Sequence, residues 1–395
     1  MANNYDTLKG GSDRVFLSTV ALLKKEGHRV TEFTPRNADS KPNDRSQFLP
    51  LAPDTTNPKA ADFLHYLYNR NAALGLAGLL QAEGPFDLAH LHIYYGRLTP
   101  AILPVLERAG VPIVQSLHEY KLACPTYSME RNGVLCTACV GGSTLNILRH
   151  RCKNGSLTQS AAVLVEYWSS RLQGDIRKID RFICLSRFQF ETMVQAGLPK
   201  EKLTLLPNFV DTSRFRPSAP RARSDYLLYS GRIERLKGLE TLISAALQSD
   251  KRLLICGRGS WETEMMTRIA NKTNIQYLGF QTAEQVQKLV ADAKAVVVPS
   301  EWYENCPMTV LEAKACATPV IGTRIGGIPE LIRDGIDGFL CETGSVSALS
   351  GAFERLDAAD RDAMGQAGLA DILDRFSPAS HYAALVDIYR SLAVR

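Results

Sequence analysis

Ser300-Glu301-Trp302-Tyr303-Glu304-Asn305-Cys306-Pro307-Met308-Thr309-Val310-Leu311-Glu312-Ala313 is the stretch that decides how this chain is read. An apolar strand precedes it, a short polar turn follows, and the residues from Pro307 onward predict a helix. Proline suits the first helical turn, because its missing N–H would have been unpaired there. The next amides, near Met308 to Val310, then point N–H groups at whatever lies ahead of the helix, which makes an anion site. Glu304 precedes the helix start and Glu312 lies about one and a half turns inside it. Two carboxylates therefore flank the anion position. That arrangement suits a ligand with hydroxyls on both sides of its phosphates, and a nucleotide sugar is one.

Outward from this stretch, short strand-like runs alternate with helical ones. In the first half they are 28–33, 88–92, 112–117, 182–185 and 203–206; in the second, 226–229, 252–256, 275–278, 295–298, 319–321 and 338–340. This alternation predicts parallel sheets with helices on both faces. Pro217-Ser218-Ala219-Pro220-Arg221-Ala222-Arg223-Ser224 separates the two sets as a polar, proline-bearing linker. The expected organisation is an N-terminal domain over 1–216, a linker over 217–224, a C-terminal domain over 225–376 and a last helix over 377–395. Ligands of open parallel sheets bind at the carboxyl ends of the strands. Two facing, doubly wound Rossmann-like domains would thus place a site in the cleft between them.

Four segments in order resemble a known family. They are the paired glutamates Glu304 and Glu312, the second inside Leu-Glu-Ala; Leu205-Leu206-Pro207-Asn208-Phe209-Val210-Asp211; Tyr229-Ser230-Gly231-Arg232-Ile233-Glu234-Arg235-Leu236-Lys237-Gly238; and Gly326-Gly327-Ile328-Pro329-Glu330. Together they are similar to the retaining glycosyltransferases of family 4, over essentially the whole chain. The resemblance implies the GT-B fold, with an N-terminal acceptor domain, a C-terminal donor domain and a last helix that crosses back to the first. It implies transfer of a hexose from a nucleotide-diphosphate sugar to a glycan or lipid-linked acceptor, in polysaccharide or glycoconjugate synthesis, with no cofactor required for catalysis.

The chemistry assigns roles in this sequence. Breaking a sugar–diphosphate bond leaves charge on the diphosphate, so cations and aligned N–H donors are needed there. Arg232 and Lys237 follow a strand and sit in a turn near Gly231 and Gly238; Arg can clamp a phosphate through two bonds, and Lys supplies a mobile charge. By resemblance both contact the donor diphosphate, Glu312 the ribose and Glu304 the transferred sugar. The turn Asn305-Cys306-Pro307-Met308-Thr309 meets phosphate or sugar oxygens through its amides and the Thr309 hydroxyl. Gly257 and Gly259 would let backbone approach the nucleotide, and Leu278-Gly279-Phe280 would lie near the base. In the first domain Gly10 and Gly11 form the matching turn. His118 and Glu119 follow the strand 112–117, and the resemblance puts the histidine close to the donor sugar, orienting and polarising it during front-face attack. Relatives begin with an apolar strand ahead of the glycine turn; here that strand is absent, so either the true start lies upstream or the fold tolerates a gap.

The reaction has competing readings. A nucleotide-sugar epimerase or hydrolase shares the architecture but needs acid/base groups at the sugar that the sequence does not offer. A non-catalytic nucleotide-binding partner or scaffold draws support from the absent strand, yet it would not need Arg232, Lys237, Glu304 and Glu312 together.

Composition bounds the rest. The 395 residues suggest two domains, and 45% hydrophobic with 22% charged residues is the balance of a globular protein. No apolar run approaches a membrane span and the N-terminus lacks a leader pattern, so the expected setting is the cytoplasm. Residues 1–217 hold 26 basic against 19 acidic side chains and 218–395 hold 20 against 22. A basic first half could touch an anionic membrane face or a phosphorylated acceptor, although a solvated helix face is the simpler reading. Nothing suggests nucleic acid. Cys124, Cys136, Cys139 and Cys152 fall in one loop-rich segment, with a close pair typical of a zinc knuckle; a structural zinc and four unrelated thiols both remain open. The other five cysteines read as core thiols.

Overall fold

The computed structural model describes residues 1–36, 45–51, 60–217 and 224–393, with the side chains of 60–62 and 393 excepted. Most of the expected linker, 218–223, and much of the loop 37–59 lie outside the described residues. The chain divides into two compact units, Met1–Leu206 with Tyr382–Arg395, and Pro207–His381. The handover therefore comes earlier than position 216. The segment after Pro207 is bonded to the second unit: Asn208 donates to the Cys306 carbonyl at 3.1 Å and the Val210 amide to that of Phe376 at 3.0 Å.

Strands are numbered in chain order. The first unit holds β1 (Ala89–Leu91), β2 (Ile113–Leu117), the hairpin strands β3 (Glu130–Arg131) and β4 (Val134–Leu135), β5 (Arg181–Cys184) and β6 (Leu203–Leu205). Its main sheet is parallel, in the order β1-β2-β5-β6. Residues 28–33 do not form the expected strand: only Phe33 bridges, and its partner is Ala2. Ala2 in turn bridges Leu91, with the Ala2 amide donating to His90 and the His92 amide to Ala2, both at 2.9 Å. A one-rung ladder gives residues 28–33 too little to pair with. Thus Met1–Asn3 supply one rung of the strand that the sequence pattern lacks, between Phe33 and β1.

The second unit holds β7 (Leu227–Ser230), β8 (Leu253–Cys256), β9 (Ile275–Tyr277), β10 (Ala295–Val298), β11 (Val320–Thr323) and β12 (Gly338–Cys341). They form one parallel sheet in the order β12-β11-β10-β7-β8-β9. β8, β10, β11 and β12 are buried along their whole length, as expected of strands covered on both faces. On one face Leu239, Leu242, Ile243 and Ala246 of helix Leu239–Gln248 pack with Leu349 and Phe353 of helix Val346–Asp357. The strand order reverses between β7 and β10, because the chain runs outward through β8 and β9 and returns on the other side. In such sheets the reversal opens a crevice at the carboxyl ends, where ligands bind. The first unit has the same reversal between Ala2 and β1.

Candidate functional site

Within the second unit, the loops that follow β7 and β10 meet at this reversal point. After β7 the chain runs through Gly231 and a 3-10 turn, Arg235–Lys237, into helix Leu239–Gln248. Gly238, with φ 72°, joins the two, and a Cβ there would stand 1.8 Å from the Pro299 carbonyl oxygen. Only glycine lets the Lys237 turn pass so close beneath the end of β10. The contact fixes where Lys237 points. Its Nζ lies 2.5 Å from Glu304 Oε1, which also accepts from the Ser300 hydroxyl at 2.9 Å. Ser300 is itself buried, and its carbonyl accepts from Thr323 at 2.6 Å. Glu301 is tied to the same turn through its amide, bonded to the Leu236 carbonyl at 2.9 Å, and through Thr241, which donates to its carboxylate at 2.6 Å.

The helix expected from Pro307 spans Met308–Ala315, one residue later, with Pro307 as its N-cap. At φ −65° and ψ 118° Pro307 is extended, so its carbonyl can accept the Val310 amide at 3.1 Å while its ring stays outside the helix. No side chain caps this helix, and an uncapped helix start is a place where an anion can bind. Thr309 donates to the Ser230 carbonyl at 3.3 Å, so the helix start is pinned against the end of β7. Glu312 is buried further along the helix. Arg232 is exposed on the loop after β7, and its carbonyl accepts from the Tyr229 hydroxyl at 2.6 Å. Burial pushes that phenol well above its ordinary range.

The loop after β8 closes on the same edge. A Cβ on Gly257, at φ 138°, would meet the Gly231 carbonyl oxygen at 1.8 Å, so the two loops touch backbone to backbone. The Gly257 amide donates to the Gly279 carbonyl at 2.9 Å, which brings the 278–280 segment alongside, and the Arg258 guanidinium lies over the exposed Phe280 ring. The second unit thus gathers Arg232, Lys237, Glu304, Glu312, the 305–309 turn and Gly257 around the carboxyl ends of adjacent strands. Two cations, an open helix start and two carboxylates are the groups that hold a phosphate flanked by hydroxyls.

The first unit assembles its candidates separately. Gly10 is the N-cap of helix Gly11–Lys25 without side-chain capping, and added Cβ atoms at Gly10 and Gly11 would meet nothing closer than 3.9 Å. Asp13, in the first turn, accepts from the Asn3 side chain at 3.0 Å and from the Lys9 amide at 3.2 Å. His118 follows β2 and meets His92, which follows β1: Nε2 of His118 and Nδ1 of His92 are 2.7 Å apart, with the rings 4.9 Å apart and nearly parallel. One proton occupies that bond, so the tautomer of one ring sets that of the other. Burial lowers the His118 pKa to about 4 and raises that of Glu119 to about 7.

Sequence reading missed His92, whose only signal was its place at the end of the strand beside the one leading to His118. It also missed Ser300 and Thr241, polar residues that brace the carboxylates of Glu304 and Glu301. Cys124, Cys136, Cys139 and Cys152 line one small pocket with Thr126, Glu130, Asn146 and His150. Burial and the neighbouring sulfurs push the Cys139 thiol up to about 12. The other five cysteines are buried. Among the described residues no helix is long and apolar enough to cross a membrane.

Comparison with known proteins covers both units. The profile described as Glycosyltransferase Family 4 matches residues 9–214, and that described as Glycosyl transferases group 1 matches 211–369. A D-inositol 3-phosphate glycosyltransferase of Pseudarthrobacter chlorophenolicus is 28% identical over 310 residues, 73% of this chain and 66% of that protein. An alpha-maltose-1-phosphate synthase of Mycobacterium tuberculosis is 30% identical over 230 residues, 50% of this chain and 59% of that protein. The matches thus span less than two thirds of these relatives' own length. A sucrose-phosphate synthase structure from Thermosynechococcus elongatus superposes with a TM-score of 0.70 at 19% identity, covering 97% of this chain and 94% of that one. Anabaena Alr3699/HepE in complex with UDP-glucose gives 0.66 at 18% identity, covering 99% and 98%. At such identities the likeness is one of fold.

Proposed function

The chain belongs to glycosyltransferase family 4, among the group 1 glycosyl transferases with the GT-B fold, and on that premise we propose that it transfers a hexose from a nucleotide-diphosphate sugar to a glycan or lipid-linked acceptor with retention of configuration. One observation carries the reading: Lys237, Glu304 and the uncapped start of helix Met308–Ala315 converge where the strand order of the second unit reverses. Arg232, Lys237 and the first helix amides take the diphosphate, whose developing charge they stabilise as the sugar departs. Glu304 accepts from hydroxyls of the transferred sugar, held by Ser300 on one side and charge-balanced by Lys237 on the other. Glu312 accepts from the ribose hydroxyls. His118, neutral through burial and paired to His92, orients the sugar without acting as a nucleophile, and Gly10 and Gly11 leave space for ligand at the matching turn.

Two further points bear on the substrates, the first of them on the donor. The fold neighbour Alr3699/HepE has been solved with UDP, with UDP and glucose, and with UDP-glucose. The curated relatives named above carry a glycosyltransferase name built on inositol 3-phosphate and a synthase name built on maltose 1-phosphate, which suits a phosphorylated acceptor. The acceptor would enter at the first unit, whose basic excess suits a phosphorylated glycan, a lipid phosphate or an anionic membrane face.

The test is the anomeric configuration of the released sugar, followed by NMR during slow donor hydrolysis. A sugar first released with the donor's configuration supports retention. Inversion would overturn that part of the proposal.

A further inference from the structure

The segment from Cys124 to Cys152 has little of its own to hold it. Its regular structure is the hairpin of two-residue strands β3 and β4 and the one-turn helix Asn146–Arg149. Few of its apolar side chains are buried, among them Pro125, Met129 and Ile147, the last in a small cluster with Val163 and Leu164. Several of its residues take positive φ, among them Met129, Asn132 and Arg151. Segments so poor in core are commonly held by a cross-link or a metal. All nine cysteines are free thiols, so no disulfide supplies it.

Four of those thiols line one pocket, and they arrive from three separate stretches of the loop. Their backbones are fixed there. The Cys124 amide donates to the Tyr120 carbonyl at 2.8 Å, that of Cys136 to Met129 at 2.8 Å and that of Cys152 to Ile147 at 3.1 Å; the Cys139 carbonyl accepts from Gly142 at 3.3 Å. Among the described residues no group of three or more Cys, His, Asp or Glu side chains is arranged to hold a metal ion as it stands. Two of the sulfurs are engaged elsewhere: Cys124 is bonded to the Thr126 hydroxyl at 3.2 Å and Cys152 is turned to the Asn146 carbonyl at 4.0 Å. Both bonds are weak, and a χ1 rotation redirects each sulfur without moving the backbone.

We propose that Cys124, Cys136, Cys139 and Cys152 bind one Zn2+ tetrahedrally, and that this ion holds the 124–152 segment together. Four sulfurs with a two-residue spacer in the central pair form the donor set of a closed structural zinc site, with no position left for water. Binding displaces four thiol protons to solvent and leaves a Zn–tetrathiolate of charge −2. The segment supplies countercharge, since it holds Arg131, Arg149 and Arg151 against a single acid, Glu130, and Lys153 follows it directly. The ion's role is structural. It would fix a loop that begins six residues after His118, and it takes no part in sugar transfer.

The test is metal content and thiol accounting on the full chain, purified under reducing conditions and exposed to Zn2+. About one zinc per chain is expected, released as four thiols are titrated with a mercurial, and Co2+ in its place should give the absorption of tetrahedral thiolate ligation. Cys139→Ser should lose the metal, while Cys184→Ala, in the core of the main sheet, should keep it. If Cys139→Ser does not fold, the wild-type protein still decides through coordinated protection and release of four thiols. Folded wild-type protein that keeps no zinc after dialysis, an octahedral Co2+ spectrum, or equal metal loss in the two variants would overturn the proposal.

Discussion

Replacing Lys237 by alanine should weaken nucleoside diphosphate binding in two separable ways. The first is loss of a charge-assisted hydrogen bond to phosphate, worth about 1.5–3 kcal/mol. The second follows from its position 2.5 Å from Glu304 Oε1. Without the ammonium, the Glu304 carboxylate faces the incoming diphosphate uncompensated. Two unit charges about 6 Å apart in a medium of effective dielectric about 20 repel by about 3 kcal/mol, and partial solvent access reduces this to about 1 kcal/mol. Together the variant should lose about 2–4 kcal/mol, or roughly 30- to 1,000-fold in Kd. Stability should change little, because the side chains of the pair are 20% and 15% exposed and such a pair contributes about 1 kcal/mol or less. Calorimetric titration with UDP, GDP and ADP is the assay, with a thermal melt as the folding control. Adding Glu304→Gln to Lys237→Ala should recover roughly fivefold in affinity, the share due to repulsion. A folded Lys237→Ala protein that binds the preferred nucleotide within about twofold of wild type would refute the phosphate role. A double variant with no recovery would refute the charge-balancing role.

Two other outcomes follow from buried charge. Lys314, fully buried, donates to Asp337 at 3.1 Å, Asp371 at 2.5 Å and the Leu331 carbonyl at 2.8 Å, while Arg333 and Arg375 also pair with the two acids. Lys314→Met strands two carboxylates that only the arginines still balance, so it should cost about 3 kcal/mol and lower the melting temperature by roughly 6–12 °C in calorimetry. His381, buried against Phe209 and donating to the Pro207 carbonyl at 3.0 Å, has its pKa lowered by burial from 6.5 to about 4. The unfolded chain binds the extra proton first, so stability is full above pH 6.5 and falls as pH drops towards 4, by at most about 3 kcal/mol. His118 adds in the same direction, and Glu119, raised to about 7, works the other way between pH 4.5 and 7. In acid titrations followed by denaturant unfolding, His381→Gln should flatten the fall.

What the sequence could disclose follows the physics of each part. The second sheet was legible because its strands are covered on both faces and read as continuous apolar runs. Residues 28–33, His-Arg-Val-Thr-Glu-Phe, misled because apolar and polar residues spaced as in a strand do not reveal how long the partner is, and here the ladder is one rung. The proline-rich stretch from 217 reads as the boundary, yet Asn208 and Val210 already bond within the second unit. Such long-range bonds leave no local trace. In the site, the spacing of Glu304 and Glu312 marked the helix start, but the Lys237–Glu304 pair spans 67 residues and exists because β7 and β10 are neighbours. Ser300 and Thr241 acquire their roles from the same strand order and His92 from the pairing of β1 with β2 in the first unit, which is why single-residue reading passed over them.

The central claim is donor cleavage at this site. Its most direct measurement is nucleoside diphosphate release from a panel of UDP-, GDP- and ADP-hexoses by wild type and by the Arg232→Ala, Lys237→Ala double variant, both shown to be folded. The account predicts that wild type cleaves one donor selectively and that the double variant loses at least about 100-fold of that rate, the equivalent of roughly 2.7 kcal/mol. Equal release by the two proteins, or no cleavage of any donor by folded wild type, would contradict it.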